Sequence, residues 1–174
     1  MKLLKYFSVF AVALLFSCSS DDDTPIQINE TEDLIFVKEI QNETHTITLF
    51  TADGSLKQGY NNIYFQIKDG DDFINNAEVS WMPVMHMTAM SHSGPHSEIN
   101  KKANAETLYE GYIIFQMAQN DSEYWELSFN YNVEGVEYVA KDIIEVTPTD
   151  KNRVSVFTGN DDTRYIAALI EPDS

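Results

Sequence analysis

Residues 125–133 read WELSFNYNV and carry the clearest strand pattern in the chain. Apolar or aromatic side chains alternate there with polar ones, the former being Trp125, Leu127, Phe129, Tyr131 and Val133. A period of two predicts a β-strand with one buried face and one wet face. The turn signal Glu134-Gly135 follows, so we expect residues 125–146 to form a β-hairpin.

Other short strand-like runs surround this hairpin. Residues 34–40 and 44–50 are rich in β-branched and aromatic side chains, and residues 63–68 alternate in the same way as the hairpin. Helical periodicity is weak throughout, and no glycine-rich phosphate loop precedes a helix. About seven antiparallel strands separated by turns predict an all-β, immunoglobulin-like β-sandwich. The cysteine pair of antibody domains is absent, so the likeness concerns architecture only.

The net charge limits the kinds of molecule that the protein is expected to bind. The 174 residues include 28 acidic and 11 basic side chains, a net charge of −17. Such an excess disfavours nucleic acid, because phosphate contacts need clustered lysine and arginine. About 140 residues behind the amino-terminal segments suffice for one domain with its own core.

The amino-terminal residues have the three-part pattern of a secretory signal. Lys2 and Lys5 precede the apolar run 7–16, which is shorter than the roughly 20 residues that span a bilayer. Ser17 then precedes Cys18, the only cysteine. The letters LLFSC resemble the lipobox of bacterial lipoproteins, which implies cleavage after a signal peptide of residues 1–17 and lipidation of Cys18.

The residues behind the cysteine predict a tether. Residues 18–32 begin with the polar and acidic run CSSDDD, which buries no apolar surface. Such a run resembles the surface-export signal of Bacteroidetes lipoproteins, which implies an outer-membrane lipid anchor and a domain facing the periplasm or the outside. With Cys18 lipidated, no thiol remains for a disulfide or a thiolate metal site.

Methionine and histidine are concentrated in residues 81–98, WMPVMHMTAMSHSGPHSE. This segment holds Met82, Met85, His86, Met87, Met90, His92 and His96; elsewhere only Met1, Met117 and His45 carry these side chains. Thioether and imidazole are ligands of soft metal ions, and sulfur selects copper(I). We expect a strand over residues 76–81 that Pro83 ends, a long loop over residues 84–98, and a further ligand from Met117 at the end of a strand over residues 111–117.

At these residues the chain resembles the YtkA-like family of β-sandwich domains, which is related to FixH-type proteins and to copper handling. The resemblance covers residues 60–146, although Val84 stands where a second methionine is expected beside Met85. It rests on Pro83, Met85, His86, Met87, Met90, His92, Ser93 and Pro95, followed by Gly111, Tyr112, Phe115, Met117 and Trp125. The resemblance implies metal binding and no defined reaction.

Alternatives to a copper site remain open at this stage. Zinc would use His86, His92 and His96 with Glu98, but would leave the methionines unexplained. The methionines are also explained as core packing, or as a surface that contacts a protein or peptide without metal. His45 is expected to be an ordinary exposed residue, and Trp81 and Trp125 are expected to lie in the core.

The leading functional hypothesis is a copper carrier or buffer at the outer membrane, with a protein partner for metal transfer. The candidate ligands are Met82, Met85, His86, Met87, Met90, His92, His96 and Met117. No nucleophile triad, paired-carboxylate motif or HExxH signature is present, so we expect no enzymatic activity. The domain is expected to span residues 33–147, with residues 148–174 forming a linker, an edge hairpin or the start of a second module.

Overall fold

The computed structural model describes residues 29–149 and 153–170. The expected signal peptide, Cys18 and most of the tether lie outside these residues. Nothing in the part that the structure describes forms a helix able to cross a membrane. That part is all-β, as predicted, and its strands are β1 Ile35–Gln41, β2 His45–Thr51, β3 Leu56–Lys57, β4 Gly59–Asp69, β5 Asp72–Phe73, β6 Glu78–His86, β7 Ser91–Ser93, β8 Asn100–Lys101, β9 Tyr109–Phe115, β10 Tyr124–Val133, β11 Val136–Ile144, β12 Val146–Thr147, β13 Val154–Thr158 and β14 Arg164–Ala168.

Two antiparallel sheets form the sandwich. The first sheet has the strand order β1-β2-β4-β9-β8, with β5 paired to β4, and the second has the order β11-β10-β6-β7. β12 pairs with β3 in a short parallel ladder. The inner faces of both sheets supply a core that includes Phe65, Phe115, Trp125, Phe129 and Tyr131, all almost fully buried.

The predicted hairpin is confirmed and its turn has a local cause. Trp125 faces Ile144 and Val133 faces Val136 across β10 and β11. Glu134 and Gly135 have φ values of 52° and 88°. Positive φ at both central residues is the requirement of a type I′ turn, whose twist matches that of paired strands. The register of the β10–β11 ladder is therefore fixed by two residues.

The prediction that Pro83 ends its strand was wrong. Pro83 lies within β6 and faces Leu127 of β10, and its carbonyl accepts a hydrogen bond from the amide of Gly94 at 3.2 Å. The nitrogen and carbonyl of one strand residue point to the same side, so the proline nitrogen also faces away from β10. β7 ends at Ser93, so the donor that proline lacks falls where the ladder with β7 stops. The expectation of a long loop over residues 84–98 is wrong in part, because residues 84–86 and 91–93 are strand and His96 forms an isolated bridge.

A buried polar cluster lies at the end of the sandwich that contains the β1–β2 turn. His45 is only 4% exposed, which corrects the expectation of an exposed residue. Its Nδ1 lies 3.1 Å from the hydroxyl oxygen of Tyr131, and that oxygen accepts a hydrogen bond from Asn42 Nδ2 at 2.8 Å. The ring of Tyr138 contacts His45 edge-on at 4.5 Å. These residues join the β1–β2 turn to β10 and β11.

The carboxy-terminal strands form a hairpin of their own. β13 and β14 pair with each other and with no other strand of the described residues. Val154 is buried, whereas Val156, Phe157 and Tyr165 are at least two-fifths exposed. The hairpin therefore does not extend the ladder of either main sheet.

Candidate metal centre

The β6–β7 hairpin sorts the methionines and histidines by face. Met85 lies opposite His92, and His86 lies opposite Ser91. The amide of Met87 donates to the carbonyl of Met90 at 2.9 Å, so the same register continues into the turn. Since strand side chains alternate between faces, Met85 and Met87 share the face of Met90 and His92.

This set, Met85, Met87, Met90 and His92, is called the hairpin face below. Side chains directly opposite each other on antiparallel strands have Cβ atoms about 5 Å apart. Residues two apart along a strand are separated by about 7 Å. Three thioethers and one imidazole therefore start from a small patch. Methionine has three rotatable bonds and adapts its sulfur position readily, so the patch suits convergence on one ion.

Trp125 forms the floor of the hairpin face. It lies opposite Met85 in the β6–β10 ladder, and its ring meets that of His92 edge-on at 5.8 Å. Its Nε1–H donates to the carbonyl of Met117 at 2.9 Å. Met117 lies two residues beyond the end of β9 and packs against the core, so it is not the strand end that the sequence predicted.

The imidazole of His92 has one nitrogen suited to a metal. Its Nδ1 lies 3.3 Å from the carbonyl oxygen of Ser93, which only accepts hydrogen bonds. Nδ1 is then the protonated nitrogen, and Nε2 keeps its lone pair. Metal-binding histidines commonly have their second nitrogen held by a carbonyl in this way.

Exposure increases along the hairpin face. Met85 is fully buried, Met87 and His92 are half-buried, and Met90 at the turn is 63% exposed. An ion arriving from solvent would meet Met90 first and Met85 last. The hairpin face therefore has a protected inner thioether and an accessible outer one.

Met82 and His86 lie on the opposite face of the same strand. The Ser93 hydroxyl donates to Met82 Sδ at 3.3 Å. The His86 ring stacks on Tyr124 at 4.9 Å, and its Nε2 lies 3.9 Å from a carboxylate oxygen of Glu126. The sheet separates Met82 and His86 from the hairpin face. The four methionines of residues 81–98 therefore do not all lie on one face.

His96 belongs to a different sheet edge. It forms an isolated bridge with Ile113 of β9, and its Nδ1 lies 2.8 Å from the carbonyl oxygen of Gly94. Between residues 29 and 149 and between 153 and 170, no three side chains of the His, Cys, Asp and Glu types group as metal ligands. The zinc grouping of His86, His92 and His96 with Glu98 is therefore not formed.

The sequence alone does not reveal which of these side chains share a face. Residues 85, 87, 90 and 92 become one face if residues 88 and 89 are the loop of a two-residue hairpin. Thr88-Ala89 lacks the glycine and asparagine that mark such turns, so composition gave no reason to place it there.

Comparisons with protein-family models, with curated proteins and with solved structures find no match to this chain. The site has to be interpreted from its own chemistry, as a Met/His face on the edge hairpin of an all-β sandwich.

Proposed function

We propose that the protein binds copper(I) through the hairpin face and acts as a copper carrier or buffer. The observation that carries the proposal is the β6–β7 register, which brings Met85, Met87, Met90 and His92 to one face. Three thioethers with one imidazole form a neutral, soft ligand set. Copper(I) accepts such a set, whereas zinc prefers thiolate, imidazole and carboxylate.

The surroundings of the face support exchange of the ion. Met90 is open to solvent and Met85 is sealed by Trp125, so ligands can be gained one at a time from the outside inwards. The net charge of −17 raises the local concentration of cations. A carrier needs this combination of access and retention.

We also propose membership of the YtkA-like family, on the motif residues given above. Two of them have identifiable structural roles in the sandwich. Gly111 lies against the ring of Trp81, and the carbonyl of Met117 holds Trp125 in place. Attachment to the outer membrane through Cys18 remains a proposal from the sequence.

The test is competition for copper(I) between the purified protein and a chromophoric chelator. Wild type is compared with the triple variant Met85→Leu/Met87→Leu/Met90→Leu, because methionine-to-leucine changes nearly conserve volume. Met82→Leu, on the other face of β6, is the matched control. We expect one copper per chain and a loss of affinity of at least about tenfold for the triple variant only.

Two results would count against copper binding by this face. If the triple variant competes as well as wild type, the ligands lie elsewhere. If no protein competes with the chelator, the methionines pack the hairpin or contact a protein partner, and the metal-free interaction module becomes the better explanation.

A further inference from the structure

A second candidate site lies on the outer face of the first sheet, away from the hairpin face. Tyr60, Asn62 and Tyr64 alternate along β4, and Asn62 faces Tyr112 of the neighbouring β9. Two clefts of about 850 and 380 Å³ meet there, and both are lined by Asn62 and Tyr64. Ligand sites commonly have volumes of roughly 300–1,000 Å³.

The rings of Tyr60 and Tyr112 form an aromatic surface, called the ledge below. The rings of Tyr60 and Tyr112 lie 5.0 Å apart and are inclined by 30°. Tyr112 is 36% exposed, and the ammonium group of Lys102 lies 5.2 Å from the centre of the Tyr64 ring. Tyrosine supplies rigid contact area with a polar tip, so partly exposed tyrosines on a sheet face suit an amphipathic ligand.

Polar groups are positioned beside this ledge. The Tyr60 hydroxyl donates to Asn62 Oδ1 at 2.8 Å, which fixes the orientation of the amide. The Nδ2 group of Asn62 donates to no other residue of the described part of the chain, and Asn62 lines both clefts. Glu98 and Glu110 line the smaller cleft and add acceptors.

The charges select against anionic ligands. Glu98 and Glu110 repel an anion at the smaller cleft, while Lys57, Lys102 and Arg153 line the larger one beside several carboxylates. Around the two clefts together, six carboxylates face three basic side chains, so the surface as a whole disfavours an anion. A ligand without net charge that carries many hydroxyl groups makes use of both donors and acceptors.

We propose that this face binds a neutral polysaccharide. The apolar faces of sugar rings would pack on Tyr60 and Tyr112, and their hydroxyl groups would bond to Asn62 and to Glu98 or Glu110. The two clefts are contiguous and open at the surface, so a chain of several sugars fits better than a single small molecule. The site is independent of the proposed copper function, because it lies on the other sheet.

The test uses native affinity gels containing soluble starch, galactomannan or arabinoxylan, with polygalacturonate as the anionic comparison. We expect at least one neutral polysaccharide to retard the wild-type protein. Tyr112→Ala removes a ring of the ledge and should weaken retardation about tenfold, as a central aromatic contact commonly does. Tyr124→Ala, a similarly exposed tyrosine on the second sheet, should bind like wild type.

A second variant distinguishes a loss of polysaccharide binding from a loss of folding. Asn62→Asp keeps the acceptor for the Tyr60 hydroxyl and replaces the two amide donors with a charged carboxylate oxygen. It should fold normally and bind the neutral polysaccharide more weakly. The proposal is overturned if no neutral polysaccharide retards the protein, if only polygalacturonate does, or if both variants are retarded like wild type.

Discussion

The hydroxyl of Tyr131 connects the two sheets at the end of the sandwich remote from the hairpin face. It accepts from Asn42 at 2.8 Å and, in the arrangement that satisfies both neighbours, donates to His45 Nδ1. Burial raises the pKa of Tyr131, and Tyr138 adds to that rise, although the bond from Asn42 opposes it. Tyr131 therefore stays a neutral donor and acceptor at physiological pH.

Tyr131→Phe should lower the free energy of unfolding by about 1–3 kcal/mol, because it leaves polar atoms of Asn42 and His45 without this partner. Urea denaturation gives the value. Tyr138→Phe is the control, since that ring stacks on Tyr131 at 5.6 Å but donates no hydrogen bond within the described residues. Equal stability of Tyr131→Phe and wild type would show that the cluster contributes nothing.

Residue 111 has to be glycine because the ring of Trp81, on the second sheet, lies against it. A Cβ atom there would lie 2.7 Å from Cζ2 of Trp81 and 2.8 Å from the Ser97 hydroxyl oxygen. The Trp81 ring is also held by a hydrogen bond from Nε1–H to the carbonyl of Ser97 at 2.9 Å. The ring therefore has little room to move.

Gly111→Ala should destabilise the protein by about 1–3 kcal/mol through overpacking. Tryptophan fluorescence during urea denaturation measures this, and the folded-state emission should change as Trp81 shifts. A variant with an unchanged midpoint and spectrum would mean that the sheets separate to accept the methyl group.

At the scale of elements, residues 29–34 precede β1 and are called the amino-terminal strap. The Glu30 carboxylate accepts hydrogen bonds from the amide and hydroxyl of Thr107 at 3.0 and 2.6 Å, and from the amide of Glu106. Burial opposes ionisation of Glu30, but these bonds outweigh it and hold its pKa below the ordinary value of 4.5. The strap is thus fastened to the β8–β9 loop by an ionised group.

A lowered pKa in the folded state gives stability that is present above the unfolded value and is lost as pH falls through the folded one. Glu30→Gln should therefore be less stable than wild type at pH 7, and the difference should shrink below pH 4.5. Urea denaturation at pH 7 and at about pH 3 tests this. Glu32→Gln, an exposed neighbour, is the control; a difference that does not change with pH would rule out the role of the Glu30 charge.

The elements show where sequence reasoning succeeded. The alternation of residues 125–133 gave β10 almost to the residue, since a buried face and a wet face leave a direct trace in the sequence. Pro83 was misleading because its effect depends on which side of the strand lacks a partner. That information belongs to the tertiary structure.

The candidate metal site could be predicted from the sequence as a group of residues but not as a geometry. Met85, Met87, Met90 and His92 were among the candidates, but so were Met82, His86, His96 and Met117. Strand alternation divides these side chains only once the turn at residues 88 and 89 is known. A shift of one residue in the register would exchange the two faces.

At the scale of the whole molecule, stability is unevenly distributed. β4, β9 and β10 are central strands with fully buried side chains, whereas β13 and β14 pair only with each other among the described residues. An isolated two-stranded hairpin is marginally stable in water. We expect the carboxy-terminal hairpin to open independently of the sandwich.

Hydrogen exchange followed by NMR or mass spectrometry measures this difference. Amides of residues 154–158 and 164–168 should exchange many times faster than those of β4 and β10, because local opening costs less than global unfolding. Equal protection of the hairpin and the sandwich would show that the two unfold together.

The central claim is that copper(I) binds one face of the β6–β7 hairpin. The most direct measurement is a copper(I) titration of protein with 13C-labelled methionine methyl groups, followed by NMR. We predict that the methyl signals of Met85, Met87 and Met90 shift together and saturate at one copper per chain, while that of Met82 does not move. Shifts of Met82 alone, or no shift of any methionine methyl signal, would contradict the claim.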